Sequence, residues 1–493
     1  MVNTDEIRKH LLDHHEWLLV RERGKTFPLY SSEMQVNSDG QKSHFGFLDD
    51  NGFHSWRING FEINGDELLL DVAGAFARNR ETMRLIPRTS ASELAAEIER
   101  ARLEKANEIA TLIAENFPGV RFGRVGLNTD NGRLAQIEFE TPEKTPTAAI
   151  ADITALLPPE IILTAAILWL EKLGTRKKKA VSDLWIICEK RRSAASRKLV
   201  TLLGDRWQNK ITILEIDRKK EPPRLKELPK PRLRDLWREK PPRLILPQSS
   251  EPSKTARWIT ELAPDSIDLT CSRQGETLRF NGLPFARVRS VMNTERAWLG
   301  TGREYRPLTP ENAADLTELI AEVGRYRWFA TDNKRHEFYR AAPEAWLESI
   351  LRRDITQLDA NLILSPIYNQ FRSSNDKIDL LALRRDGRLV IIELKTQPDR
   401  EMVFQAADYW RKIELQRRRG VLITADLFEG RTIADKPALV YLVAPAWSFH
   451  RDVEFFARCL CPEIELWRFE LHQNWREKVC VLTRQNYDGR TYL

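Results

Sequence analysis

Residues Lys377 to Tyr409 read KIDLLALRRDGRLVIIELKTQPDREMVFQAADY, and the folding of this stretch decides how the rest of the chain is read. Two apolar runs, Ile378 to Leu383 and Leu389 to Leu394, flank Arg-Arg-Asp-Gly-Arg, which is a hairpin pattern. A three-residue loop at Arg385-Asp386-Gly387, with Gly387 left-handed, sets Asp379 directly opposite Glu393. Lys395, two residues further on, projects from the same face. Most other positions on both faces are Ile, Leu or Val, so these strands are expected to be covered from both sides, as in a sheet flanked by helices. Unpaired charge would be very costly in such a place. Two carboxylates and an ammonium at one end of two apolar strands therefore need a partner, and Mg²⁺ suits them. It prefers oxygen ligands, keeps several waters and is held by one or two carboxylates plus a substrate phosphate. Asp379 and Glu393 are the candidate ligands, with a backbone carbonyl of Glu393-Leu394-Lys395 as a third and Mn²⁺ as a substitute metal. Lys395 would stand beside an attacking water or a developing negative charge.

Asp379 followed on the next strand by Glu393-Leu394-Lys395 resembles the PD-(D/E)XK nuclease superfamily, with Ile378 where the pattern has Pro. That resemblance implies a restriction-endonuclease-like fold and metal-dependent hydrolysis of phosphodiester bonds, in DNA rather than RNA. It also implies a Glu on an upstream helix. Pro343-Glu344-Ala345-Trp346-Leu347-Glu348 opens a helix at a suitable distance, and Glu344 is preferred to Glu348 because it precedes the Leu347, Ile350, Leu351 stripe. Gln405 and Tyr409 match the Gln-X-X-X-Tyr element of the recombination-type branches, and four-residue spacing puts them on one helix face. The resemblance covers roughly residues 335 to 445. A Glu-X-Lys triplet alone says little in a chain with 30% charged residues; the joint pattern is rarer.

A chain of 493 residues is long enough for two to four domains. Its net charge of +7 suits a polyanionic partner such as nucleic acid. The five cysteines are scattered, which argues against a disulfide framework and fits a reducing cytoplasm. No apolar run is long enough to cross a bilayer, so no membrane partner is expected. No GxxxxGK[ST] motif is present, so an ATP motor would have to come from a helicase or repair partner; a homo-oligomer is the other assembly considered. The runner-up function is a nucleic-acid-binding scaffold or complex subunit with an inactive or partner-dependent site.

In chain order, residues 1–60 are expected to hold a helix over Asp5–Leu19 and then short strands and turns. His10, Asp13 and His14 are better explained by an exposed helix face than by metal binding, because no further ligand clusters with them. Residues 61–217 read as an α/β domain with a long polar helix from Ala91 to Asn116. Residues 218–243 carry eleven Lys or Arg against four acids, with six prolines, and read as a semi-extended basic linker reaching to residue 257. This linker would act as a tether or as an electrostatic strap on phosphates. Residues 258–334 read as a small strand and helix subdomain, and residues 335–493 as the nuclease-like domain. A second basic cluster, Gln416-Arg417-Arg418-Arg419, ends the helix of Gln405 and Tyr409.

The N-terminal half is expected to hold a degenerate copy of the same α/β fold. Gly132–Thr141 matches Gly387–Thr396 at six of ten positions with a constant offset of 255 residues. The same offset carries Leu184–Ile187 onto Leu439–Leu442 and Ile213–Ile216 onto Arg468–Leu471. At another offset, Phe76-Ala77-Arg78-Asn79-Arg80 echoes Phe285-Ala286-Arg287-Val288-Arg289. In this register only Glu138 survives, at the Glu393 position, so the copy is expected to be chemically silent.

Overall fold

The chain is a mixed α/β protein. The computed structural model describes it apart from residues 1, 23–25, 40–41, 50–51, 75–79, 89–90, 177–179, 231, 242–250, 273–274, 292–293, 303, 365–371, 374–375, 378, 488–490 and 493. Ile378 and most of the Phe76–Arg80 echo lie outside the described residues. Two units are distinguished: residues 1–197 with 209–230, and residues 198–208 with 231–493.

In the first unit, the helix expected over Asp5–Leu19 stops at Leu12, and Glu16–Arg21 is a strand. Its Trp17 and Leu19 enter an apolar core with Phe45, Phe47, Leu68, Leu70, Met83 and Leu85. Burial of a strand face outweighs the helical spacing seen in sequence. Seven antiparallel strands between Glu16 and Pro87 form one sheet, so the boundary expected at residues 60 and 61 falls inside strand Gly52–Asn64. A long helix, Ala91–Asn116, follows as expected.

That helix packs on a second sheet of six strands. Arg121–Leu127, Leu134–Glu140, Pro146–Asp152, Asp183–Glu189, Ile211–Asp217 and Arg224–Glu227 lie side by side in chain order. Successive pairs are antiparallel, antiparallel, parallel, parallel and antiparallel. Parallel neighbours require long crossovers, and helices Pro159–Gly174 and Lys190–Thr201 supply them.

The second unit begins with a five-stranded antiparallel meander from Ile267 to Pro307, flanked by helices Lys254–Glu261 and Ala313–Tyr326. Then comes the sheet that carries the candidate site. Its strands are β1 (Leu362–Leu364), β2 (Leu380–Arg384), β3 (Leu389–Leu394), β4 (Leu439–Pro445), β5 (Glu465–Leu471), β6 (Val481–Asn486) and β7 (Thr491–Tyr492), side by side in that order. Helix α1 (Pro343–Arg353) precedes β1, α2 (Met402–Arg418) crosses from β3 to β4, and α3 (Val453–Ala457) crosses from β4 to β5.

The β2–β3 hairpin forms in the expected register: Leu380 faces Ile392 and Leu383 faces Leu389. Gly387 takes φ +82°, and a Cβ there would lie 2.9 Å from the Thr432 carbonyl oxygen. Asp386 braces the loop by accepting from the Arg388 amide at 3.1 Å and from the Arg384 guanidinium. On one face, Leu380, Ala382, Val390, Ile392 and Leu394 pack with Trp346, Leu347 and Leu351 of α1. α2 packs against β3 and β4, and its Trp410 Nε1–H donates to the Ala438 carbonyl at 3.0 Å. Each fully buried Leu, Ile or Val contributes about 1.5–3 kcal/mol, so this doubly covered hairpin is a rigid mount.

The two large α/β sheets share one strand order and one set of pairing senses. Taken from β1 to β6, the C-terminal sheet also runs antiparallel, antiparallel, parallel, parallel, antiparallel. This equivalence corrects the alignment expected from sequence. Leu134–Glu140 occupies the place of β2, not of β3, and Pro146–Asp152 occupies the place of β3. Glu138 is therefore not the counterpart of Glu393, and it pairs instead with Arg176 at 2.6 Å. The two downstream anchors do fall on equivalent strands.

The basic stretch is folded rather than a plain tether. Arg224–Glu227 is the sixth strand of the N-terminal unit's second sheet, and Leu233–Leu236 is a short helix. Trp237 packs edge-on against Trp410 at 5.8 Å, beneath the guanidinium of Arg418. Prolines flank these short elements and do not interrupt them.

Candidate active site

Asp379 immediately precedes β2, while Glu393 and Lys395 stand at the C-terminal end of β3, so the register brings the three together. The Leu394 amide donates to Asp379 Oδ2 at 2.9 Å, locking the carboxylate across the strand pair. Lys395 Nζ lies 3.2 Å from Glu393 Oε1 and 3.2 Å from Asp399 Oδ2. Glu393 is only 3% exposed, and among the described residues its Oε2 has no hydrogen-bond partner. Burial, followed by the neighbouring Asp379 charge, raises its pKa well above the usual carboxylate range, against the opposing pull of Lys395. Burial also works against the charged form of Lys395, but Glu393, Asp399 and Glu344 outweigh it and hold its pKa above the ordinary lysine value.

Glu344 occupies the first turn of α1, half-buried and near enough to act on the Lys395 charge. Glu348 is buried and paired with Arg352 at 2.6 Å. The start of α1 is fixed by Arg327, fully buried, whose guanidinium donates to the carbonyls of Asn281 (2.9 Å), Phe338 (2.8 Å), Ala341 (2.7 Å) and Ala342 (3.1 Å). Gln405 and Tyr409 lie on α2, both half-buried, and Lys412 Nζ lies 5.5 Å from the Tyr409 ring centroid. The Gln416–Arg419 cluster is mostly structural: Arg417 pairs with the fully buried Glu414 at 2.8 Å and with Asp435 at 2.6 Å, and Arg418 also reaches Glu414.

Two residues escaped the sequence reading. Asp399 gives Lys395 a second carboxylate partner; its spacing of four residues from Lys395 was visible, but the intervening loop gave no periodicity to interpret. Trp447 is 85% exposed in the turn after β4. Because β4 runs parallel to β3, this turn leaves the sheet at the same end as Glu393 and Lys395, and Ser448 Oγ donates to the Thr396 carbonyl at 3.0 Å. A Trp between alanine and serine just past an apolar run was the available signal.

Among the described residues, no group of three or more His, Cys, Asp or Glu is arranged to hold a metal by itself. The two-carboxylate set nevertheless fits a hard cation that keeps most of its waters: both donors are oxygens, and the unpartnered Glu393 Oε2 is the kind of atom such an ion satisfies. Among the described residues, no helix is long and apolar enough to cross a membrane.

The chain matches no protein-family model, and no curated protein matches it. A solved structure titled "Structure of EndoMS in apo form" aligns with 38% of this chain and 83% of that chain, at 12% identity and a TM-score of 0.14. Likeness at that level fixes neither fold nor chemistry.

Proposed function

We propose that the chain is a divalent-metal-dependent nuclease with a restriction-endonuclease-like core in its C-terminal half, hydrolysing phosphodiester bonds in DNA. The observation that carries this reading is the buried Glu393, with one oxygen unpartnered, coupled to Asp379 and Lys395 at the end of two apolar strands. Burying the Glu393 carboxylate beside a second carboxylate without a ligand is a standing cost, which favours a functional reason for it. The preference for DNA over RNA follows from the superfamily resemblance alone.

Asp379 and Glu393 would hold Mg²⁺ or Mn²⁺, with backbone oxygens at the end of β3. When bound, the ion would polarise the scissile phosphate and make a bound water a better nucleophile. Lys395 stays protonated at neutral pH, so its role is electrostatic: it offers a fixed positive charge to the phosphate oxygens as negative charge builds, and it does not take up a proton. Asp399 and Glu393 both hold that ammonium, which limits its swing. Glu344 would orient a water at the same end, and Gln405 and Tyr409 would position the strand along α2.

Cleavage of end-labelled single-stranded, duplex, flap and branched DNA, and of RNA, in Mg²⁺, Mn²⁺ or EDTA tests the proposal. Metal-dependent cleavage of at least one DNA substrate is expected. Binding without cleavage in either metal would replace it with the scaffold reading.

A further inference from the structure

The equivalence of the two large sheets directs attention to the end of the N-terminal sheet that corresponds to the candidate active site. There Arg133 immediately precedes Leu134–Glu140, as Asp379 precedes β2, and Ile153 and Thr154 follow Pro146–Asp152, as Lys395 follows β3. A cavity of about 470 Å³ opens at this place, lined by Arg133 and Thr154, by Arg102 and Lys105 of helix Ala91–Asn116, and by Arg21 and Thr82 of the first sheet.

The cavity's charges are unevenly satisfied. Arg21 pairs with Glu81 at 2.6 Å, Arg84 with Glu67, and Lys105 with Glu108 at 2.9 Å. The acids on the wall are engaged as well: Glu22 accepts from the Thr82 amide at 3.3 Å, Glu104 lies 4.0 Å from Arg100, and Glu108 holds Lys105. Arg102 donates to the Asn131 carbonyl at 3.0 Å. Among the described residues, neither Arg102 nor Arg133 has a carboxylate partner. Both guanidinium-bearing residues line the cavity, and burial, followed by the charge of Arg133, lowers the pKa of Arg102. Among its described lining residues the cavity carries no aromatic ring on which a base would stack.

We propose that this cavity binds a phosphate of the nucleic-acid backbone, with guanidinium groups from a strand entry and the neighbouring helix at the sheet end that corresponds to the candidate metal-binding carboxylates of the C-terminal sheet. Guanidinium matches phosphate geometry with paired donors, so two of them lining one cavity grip the backbone and read no sequence. The polymer's identity rests on the nuclease reading; the phosphate chemistry does not.

The test measures binding of fluorescein-labelled oligonucleotides to the full chain in EDTA, where the proposed cleavage cannot proceed. Arg133→Gln should weaken binding about 3- to 10-fold and lower the slope of log affinity against log salt by about 0.7–0.9, the value for one phosphate no longer neutralised. Arg102→Gln with Arg133→Gln should weaken it further, irrespective of base sequence, while Arg133→Lys, which keeps the charge but not the paired donors, should restore the salt slope and only part of the affinity. Circular-dichroism melting checks the fold, and the exposed Arg133 carries the test alone if the double variant unfolds. Unchanged affinity and slope in a folded Arg133→Gln variant would overturn the proposal. So would uptake of a mononucleotide at this site with no oligonucleotide bound, which would assign the cavity to a free phosphate ligand. A chain that cleaves DNA yet ignores these substitutions overturns the pocket alone. Arginine-dependent binding in a chain that never cleaves supports the pocket and overturns the nuclease reading.

Discussion

Replacing Glu393 with Gln should stabilise the metal-free protein, and increasingly so as pH rises. Glu393 is 3% exposed, with Oε2 unpartnered and Asp379 beside it. Its folded pKa is raised, so the folded state retains a proton that the unfolded state releases once pH exceeds the ordinary carboxylate value. Stability is lost through this group as pH climbs from there through the folded pKa. Gln keeps the shape without the charge, and Lys395 keeps Asp399 as partner. Holding this buried group in its charged form costs about 1–3 kcal/mol that Gln avoids, and each kcal/mol shifts the melting temperature of a domain of this size by about 2–4 °C. Scanning calorimetry in EDTA should give near-equal melting temperatures at pH 4 and a clear advantage for Glu393→Gln at pH 8. Adding Mg²⁺ at about a hundred times its dissociation constant should return about 2.7 kcal/mol to the wild type and little to the variant. A pH-independent difference, or a variant less stable than wild type at pH 8 without metal, would refute the account of Glu393.

Gly387→Ala should cost about 1–3 kcal/mol in urea denaturation, because φ +82° and the Thr432 carbonyl leave no room for a Cβ; a neutral result would contradict the loop geometry. Trp447→Ala should raise KM with little change in kcat if the exposed indole stacks on an unpaired base, an interaction worth about 1–3 kcal/mol; an unchanged KM would leave it as a surface residue. Neutralising the exposed Arg232, Arg234, Arg238 and Lys240 should flatten the salt dependence of binding by about 0.7–0.9 for each phosphate they neutralise, whereas an unchanged slope would limit the segment to its folded role.

Local chemistry made the hairpin legible. Asp-Gly between two branched-residue runs specified both the left-handed Gly387 and the pairing that sets Asp379 against Glu393. The internal recurrence was legible only in outline. Gly-Arg-Leu-X-X-Ile-Glu occurs once in the strand equivalent to β2 and once in β3, and period-two apolar patterning is the same for any strand of a buried sheet. Which strand it is depends on its neighbours, which sequence does not display. The same limit explains the first helix, where the apolar spacing of Ile7 and Leu11 ran on into Trp17–Val20 although those residues belong to a strand. Asp399 lies in the loop after β3 and Trp447 in the single helical turn after β4, where position is set by the sheet they leave and not by any repeat.

The central claim is that Asp379, Glu393 and Lys395 form a working metal-dependent site, and single-turnover cleavage by the full chain tests it most directly. Wild type, Lys395→Ala and Asp379→Ala should be compared on a DNA that the wild type cuts in Mg²⁺, with binding measured in parallel. Both variants should lose cleavage by about 10²-fold or more while melting and binding DNA much as the wild type does. Full cleavage by both would contradict the account.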